Sequence, residues 1–73
     1  MPYDYSKLNG RFVEICGTQA KFAEAMGLSE RSVSLKLNGK LGWKQSEMYK
    51  ASEILKFPVE EIPAYFFKLE VQY

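Results

Sequence analysis

Residues 18–39 read TQAKFAEAMGLSERSVSLKLNG, and their spacing decides the fold. Thr18 is a hydroxyl N-cap before a helix expected over residues 19–26. Phe22, Ala23 and Met26 form its inner stripe with Ala25 beside it, while Gln19, Lys21 and Glu24 face water. Gly27-Leu28-Ser29 has the chemistry of a tight turn. Gly27 tolerates a positive φ, Leu28 drops an apolar group inward and Ser29 caps the next helix. That helix is expected over residues 30–37 and stops at Asn38-Gly39, a favoured C-terminal signal. Two short helices across a three-residue turn containing glycine meet at a steep angle, so the second can project a polar face beyond the domain. At about 100° per residue, Val33 and Leu37 lie together against the first helix, and Arg31, Ser34, Leu35 and Asn38 fall on the opposite side. An Arg, a Ser, an Asn and one aliphatic supply the donors, acceptors and methyl contact that a major groove can use.

Upstream, a helix is expected over residues 5–16, with Leu8, Phe12 and Ile15 inward, Lys7, Arg11 and Glu14 outward, and Gly17 at its end. Cys16 sits in the apolar row and reads as a small buried hydrophobe. Downstream, residues 40–43 form a loop beside which Trp43 packs. A fourth helix over residues 44–55 turns Met48, Ala51, Ile54 and Leu55 inward. Residues 56–58 break it, and Pro58 suits the first turn of a short fifth helix over residues 59–62. Beyond lies an aromatic run, after which Phe67, Leu69, Val71 and Tyr73 alternate with Lys68, Glu70 and Gln72. Alternation is a strand signal, yet nothing upstream offers a partner strand in the same chain. The aromatics of the run suit the core or an oligomer contact, and because an unpaired strand cannot satisfy its backbone, Tyr65, Phe66, Phe67, Leu69, Val71 and Tyr73 are candidate interface residues toward a second copy or a partner regulator. The expected architecture is all-α: a compact four- to five-helix helix-turn-helix domain over residues 1–67 and a short extended tail over residues 68–73.

Composition narrows the function. Seventy-three residues make one domain near the lower size limit for a hydrophobic core, and five Tyr, five Phe and one Trp help to fill it. One cysteine and no histidine exclude a disulfide framework and a Cys/His zinc site within the chain, and favour the cytoplasm. The common nucleophile–base pairs cannot be assembled, and Glu60-Glu61 fit a helix start for electrostatic reasons alone, so neither an enzyme nor a cofactor or metal is expected. Met1-Pro2-Tyr3-Asp4 lacks the basic start of a secretory signal, and no apolar run nears the roughly 20 residues of a membrane span. The net charge is +1, unevenly spread. Residues 18–45 carry five basic side chains (Lys21, Arg31, Lys36, Lys40, Lys44) against Glu24 and Glu30, whereas the ends are acidic, a faint basic footprint.

The pattern Thr18-Gln19, Phe22-Ala23, Met26-Gly27, Leu28-Ser29, Val33 and Asn38-Gly39 resembles the lambda-repressor and Cro-like helix-turn-helix family of phage and bacterial regulators. The whole chain looks like the short Cro-type and modulator-of-repression proteins of Gram-positive phages, through its opening YDYSKL at residues 3–8 and KLNGK at residues 36–40. The resemblance implies that Gln19 donates to a phosphate, that Glu30, Arg31 and Ser34 reach base edges, and that Asn38 touches the backbone. The candidate DNA-contacting set is Gln19, Ser29, Glu30, Arg31, Ser32, Ser34, Leu35, Asn38 and Lys40. Two positions depart from the family. Glu30 stands where a glutamine often reads adenine, and Leu35 occupies an often polar position, where it suits a thymine methyl or a protein interface. Two functions follow from the resemblance. One is a transcriptional repressor that binds double-stranded operator DNA, as a homodimer on a palindromic site, in a bacterial host cell. The other is an antirepressor that binds the phage repressor protein through the same small fold.

Overall fold

In the computed structural model, which describes residues 3–70, short polar side chains and glycines set the helix ends. Helix α1 spans Ser6–Cys16 and stops at Gly17, whose φ of 94° lies in the left-handed region that favours glycine. Helix α2 (Gln19–Met26) starts on Thr18, whose hydroxyl accepts from the Lys21 N–H at 3.1 Å. Gly27 ends it with φ 73°, and its N–H donates to the Ala23 and Glu24 carbonyls. Ser29 then caps α3 (Glu30–Leu37), accepting from the Ser32 N–H at 3.0 Å. After a glycine-containing loop, α4 runs over Gln45–Leu55, one residue later than expected, with Lys44 as its N-cap.

The fifth helix is longer than the sequence implied. Residues Val59–Glu61 form one 3-10 turn, and α5 continues over Ile62–Phe66, so most of the aromatic run is helical. Pro63 lies in the first turn of α5, where a missing N–H costs nothing. The described residues thus form an all-α fold of five helices, with no strand among them beyond one isolated bridge.

The core gathers Leu8 and Phe12 of α1, Phe22, Ala23 and Met26 of α2, Val33 of α3, Ala51 and Leu55 of α4, Phe57, and Ile62, Tyr65 and Phe66 of α5. Phe12 and Phe22 stack with centroids 4.6 Å apart, and Phe57 stacks on Tyr65 at 3.9 Å. Leu28, Leu37, Cys16, Trp43, Met48 and Ile54 pack on it from the rim.

Several expectations fail here. Ile15 is exposed, because the stripe of α1 that meets α2, α4 and α5 runs through Leu8 and Phe12. Ala25 also faces water. Arg11 is not simply outward: its guanidinium donates to the Leu55 and Lys56 carbonyls at 2.8 and 3.2 Å, capping the end of α4 where Lys56 turns left-handed. Lys36, counted as part of a basic surface, is buried. Of the two places open to Tyr65 and Phe66, core or interface, they take the core, because α5 folds them inward. The tail does find a partner in its own chain: Tyr3 forms an antiparallel bridge with Leu69, and the Asp4 N–H donates to the Lys68 carbonyl at 2.7 Å. Val71 and Tyr73 lie outside the described residues.

Candidate functional site: a polar helix face and an apolar groove

Two surfaces carry the residues that could meet a partner. The first is the outer face of α3. Glu30 and Arg31 are exposed in its first turn, Ser34 and Leu35 are half-buried beside them, and Asn38 and Lys40 are exposed past its end. Gln19 is half-buried at the start of α2. Several polar groups of this set already serve the helix. Ser29 caps the Ser32 N–H and donates its own hydroxyl to Ser32 Oγ at 3.0 Å, while Asn38 Nδ2 donates back to the Ser34 carbonyl at 2.8 Å. The structure brings Arg31, Ser34 and Lys40 to the surface, but their field is thin. Glu30 offsets one of the two cations, and Lys36 is withdrawn into the interior.

The second surface is apolar and was only partly legible. A groove of about 600 Å³ lies between α4, the 3-10 turn and α5, lined by Trp43, Gln45, Met48, Tyr49, Val59, Ile62, Pro63 and Phe67. A smaller hollow of about 250 Å³ adjoins it, lined by Tyr3, Tyr5, Leu41, Trp43, Met48, Phe66 and Phe67 with Gly39 and Gly42. Trp43, Met48 and Phe67 belong to both. Tyr49, Val59 and Phe67 are each about half exposed (47%, 50% and 45%), although all are large and apolar enough to be buried if a neighbour were present. Leu41 and Leu69 are exposed too, so the apolar surface reaches the paired termini. Such a contiguous patch marks an interaction site more often than isolated exposed apolar residues do.

Of the interface residues expected from the tail, Phe67 and Leu69 are exposed, Phe66 is buried at the floor of the smaller hollow, and Tyr65 is buried against Phe57. Trp43, Met48, Tyr49, Val59 and Pro63 were missed. Their sequence signal is faint, since Met48 and Trp43 read equally well as packing. Tyr49 falls one residue after Met48, off the inner stripe of α4, and an aromatic there was the available clue. Glu60 and Glu61 are exposed and follow Val59 in the 3-10 turn, so two carboxylates stand in the element that supplies one wall of the groove.

Charged groups lie close to the loop that carries Trp43. Glu47 Oε1 accepts from the Lys44 N–H at 2.9 Å and pairs with Lys36 Nζ at 3.0 Å. Burial pushes the Glu47 carboxyl up, but the Lys44 N–H and the Lys36 ammonium together hold it below its ordinary value. Burial, and after it the neighbouring Tyr3, raise the Tyr5 phenol against the opposing effect of the Trp43 side chain, and the Ser6 side chain, with the Ser6 N–H after it, lowers the Asp4 carboxyl. Among the described residues no group of three or more His, Cys, Asp or Glu side chains is placed to hold a metal ion. No helix among them is long and apolar enough to cross a membrane.

Comparison with known proteins adds two findings. A family profile described as "Protein of unknown function (DUF739)" matches residues 1–69. The fold is similar to the solution structure of the modulator of repression (MOR) of the temperate bacteriophage TP901-1 from Lactococcus lactis. The TM-score is 0.82 and the identity 56%, over 99% of this chain and 97% of that one. No curated protein matches the chain.

Proposed function

The chain belongs to the DUF739 family, and from that premise we propose that it modulates a phage repressor by binding the repressor protein through the apolar groove. The observation that carries the reading is the joined pair of apolar hollows, with Trp43, Met48 and Phe67 common to both. Half-exposed Tyr49, Val59 and Phe67 are costly to leave in water and gain by being covered. A groove between two helices suits an amphipathic helix, whose apolar stripe would rest on Tyr49, Val59 and Phe67. The exposed Glu60 and Glu61 in the 3-10 turn favour a stripe flanked by basic residues. Similarity at 56% identity to a phage modulator of repression supports a repressor as that partner. The role is one of binding in the bacterial cytoplasm, without catalysis or cofactor.

Calorimetric titration of the repressor encoded beside this gene tests the reading. Val59→Glu places a charge in the groove, so affinity is expected to fall by at least about tenfold, with the melting temperature little changed because Val59 is half exposed. Unaltered affinity for that variant, or no binding by the wild type, contradicts it.

A second reading rests on the exposed Arg31 in the first turn of α3, with Ser34 one turn on and Lys40 exposed past the helix end, a guanidinium that can grip a guanine edge. On that reading the protein is an operator-binding repressor acting as a homodimer, and Arg31→Ala costs about 1–3 kcal/mol of specific DNA affinity at matched salt.

A further inference from the structure

Lys36 leaves α3 on the side away from solvent and is only 6% exposed. Its Nζ donates to the Gly42 carbonyl at 2.9 Å, pairs with Glu47 Oε1 at 3.0 Å and lies 5.7 Å from the centre of the Trp43 ring. The same carboxylate oxygen accepts from the Lys44 N–H. One ammonium and one carboxylate therefore hold the backbone on either side of Trp43. On the C-terminal side the first turn of α4 shares the task, the Lys44 carbonyl accepting from the Glu47 and Met48 N–H groups at 3.0 and 3.1 Å, whereas the Gly42 side has little else. A Cβ at Gly42 would meet no atom within 4 Å, and the buried Trp43 Nε1 has the Tyr5 hydroxyl near it but makes no short hydrogen bond among the described residues. Yet Trp43 lines both hollows, together with Met48 and Phe67, and its ring lies edge-on to Phe66 at 5.2 Å and to Tyr5 at 6.4 Å.

We propose that Lys36, through its pairing with Glu47 and the Gly42 carbonyl, is a positioning residue of the partner-binding face: it sets the place of Trp43 before the partner arrives and does not itself touch the partner. The inference rests on the docking reading above. It assigns to Lys36 a task opposite to the one its place in α3 suggests, since a cation on that helix would otherwise be counted toward a nucleic acid. The physical basis is preorganisation. A large side chain that must be ordered during association weakens it, by up to about tenfold for one residue. A ring already held by its backbone on both sides avoids that loss.

The test uses the full chain, and Trp43 as its only tryptophan reports directly on the loop. Removing one member of a buried pair leaves an uncompensated charge, whereas replacing both by apolar side chains of similar length is often neutral for stability. The informative variant is therefore Lys36→Met combined with Glu47→Met. It is expected to melt cooperatively near the wild-type temperature, to show Trp43 fluorescence more readily quenched by acrylamide, and to bind the repressor about fivefold to tenfold more weakly. Glu47→Gln, which keeps an acceptor oxygen for both N–H groups, should move both readouts the same way by less, and serves if the double variant does not fold. Wild-type quenching and wild-type affinity in a folded variant overturn the proposal. So does weaker binding with unchanged quenching, which would mean that Lys36 or Glu47 touches the partner. Failure of the wild type itself to bind overturns the docking reading, and the assignment of Lys36 to it.

Discussion

Phe22 is fully buried and lies within 6° of parallel to the Phe12 ring, where it joins α2 to α1 across the centre of the core. Phe22→Ala removes that stack and leaves a cavity, so it should cost about 3–5 kcal/mol. In a domain of this size that approaches the whole stability. A denaturant midpoint close to wild type would show that the core is organised otherwise. Glu47 adds a pH dependence of known sign. Its carboxyl is held below its ordinary value in the fold, so the unfolded chain binds that proton more tightly. The stabilisation is complete above the ordinary carboxylate value and is lost as pH falls through the lower folded one. Thermal melts across that acidic range should show a steeper loss for wild type than for Glu47→Gln, and parallel curves would contradict the pairing. Phe22 was legible in the sequence because its neighbours Ala23 and Met26 mark the same stripe. Lys36 and Arg11 were not: a long cation reads as solvated, and the groups that draw these two inward belong to other segments of the chain.

At the scale of elements, local chemistry decided what could be read. Thr18, Gly27 and Ser29 act on residues within a turn of themselves, and α2, the turn and α3 fall where those residues imply. The end of the chain depends on distant partners and was misjudged. Residues 63–66 are helical because α5 buries Tyr65 and Phe66 against the core, a tertiary gain that aromatic composition does not reveal. Residues 68 and 69 are held by the other terminus, through the Tyr3–Leu69 bridge and the Asp4–Lys68 backbone bond. A lone bridge between segments so far apart leaves no pattern to detect. Deleting residues 68–73 removes this clasp and should lower stability by only about 0.5–1.5 kcal/mol per lost hydrogen bond. It also frees Tyr3, whose ring meets Phe67 edge-on at 5.9 Å in the wall of the smaller hollow. Repressor affinity should therefore fall while helical circular dichroism is kept. Equal affinity would confine the binding face to the α4–α5 groove.

The whole molecule sets a thinly charged polar face on α3 against an apolar face built from α4, α5 and the loop before α4. A net charge of +1, with Lys36 withdrawn, is a weak basis for holding a polyanion. The apolar groove is the stronger feature, and the sequence concealed it because α4 and the 3-10 turn contribute single residues that become a surface only once packed. On the proposed function, what folding assembles here is a face for another protein. Anisotropy of labelled operator DNA from upstream of the gene, titrated over a salt series with and without the neighbouring repressor, tests this most directly. The account predicts that the protein alone binds weakly and loses that binding as salt rises, that it changes the repressor's apparent operator affinity when both are present, and that Val59→Glu abolishes this change while Arg31→Ala retains it. Tight, sequence-specific binding by the protein alone at physiological salt, with the repressor's titration unchanged by its presence, would contradict it.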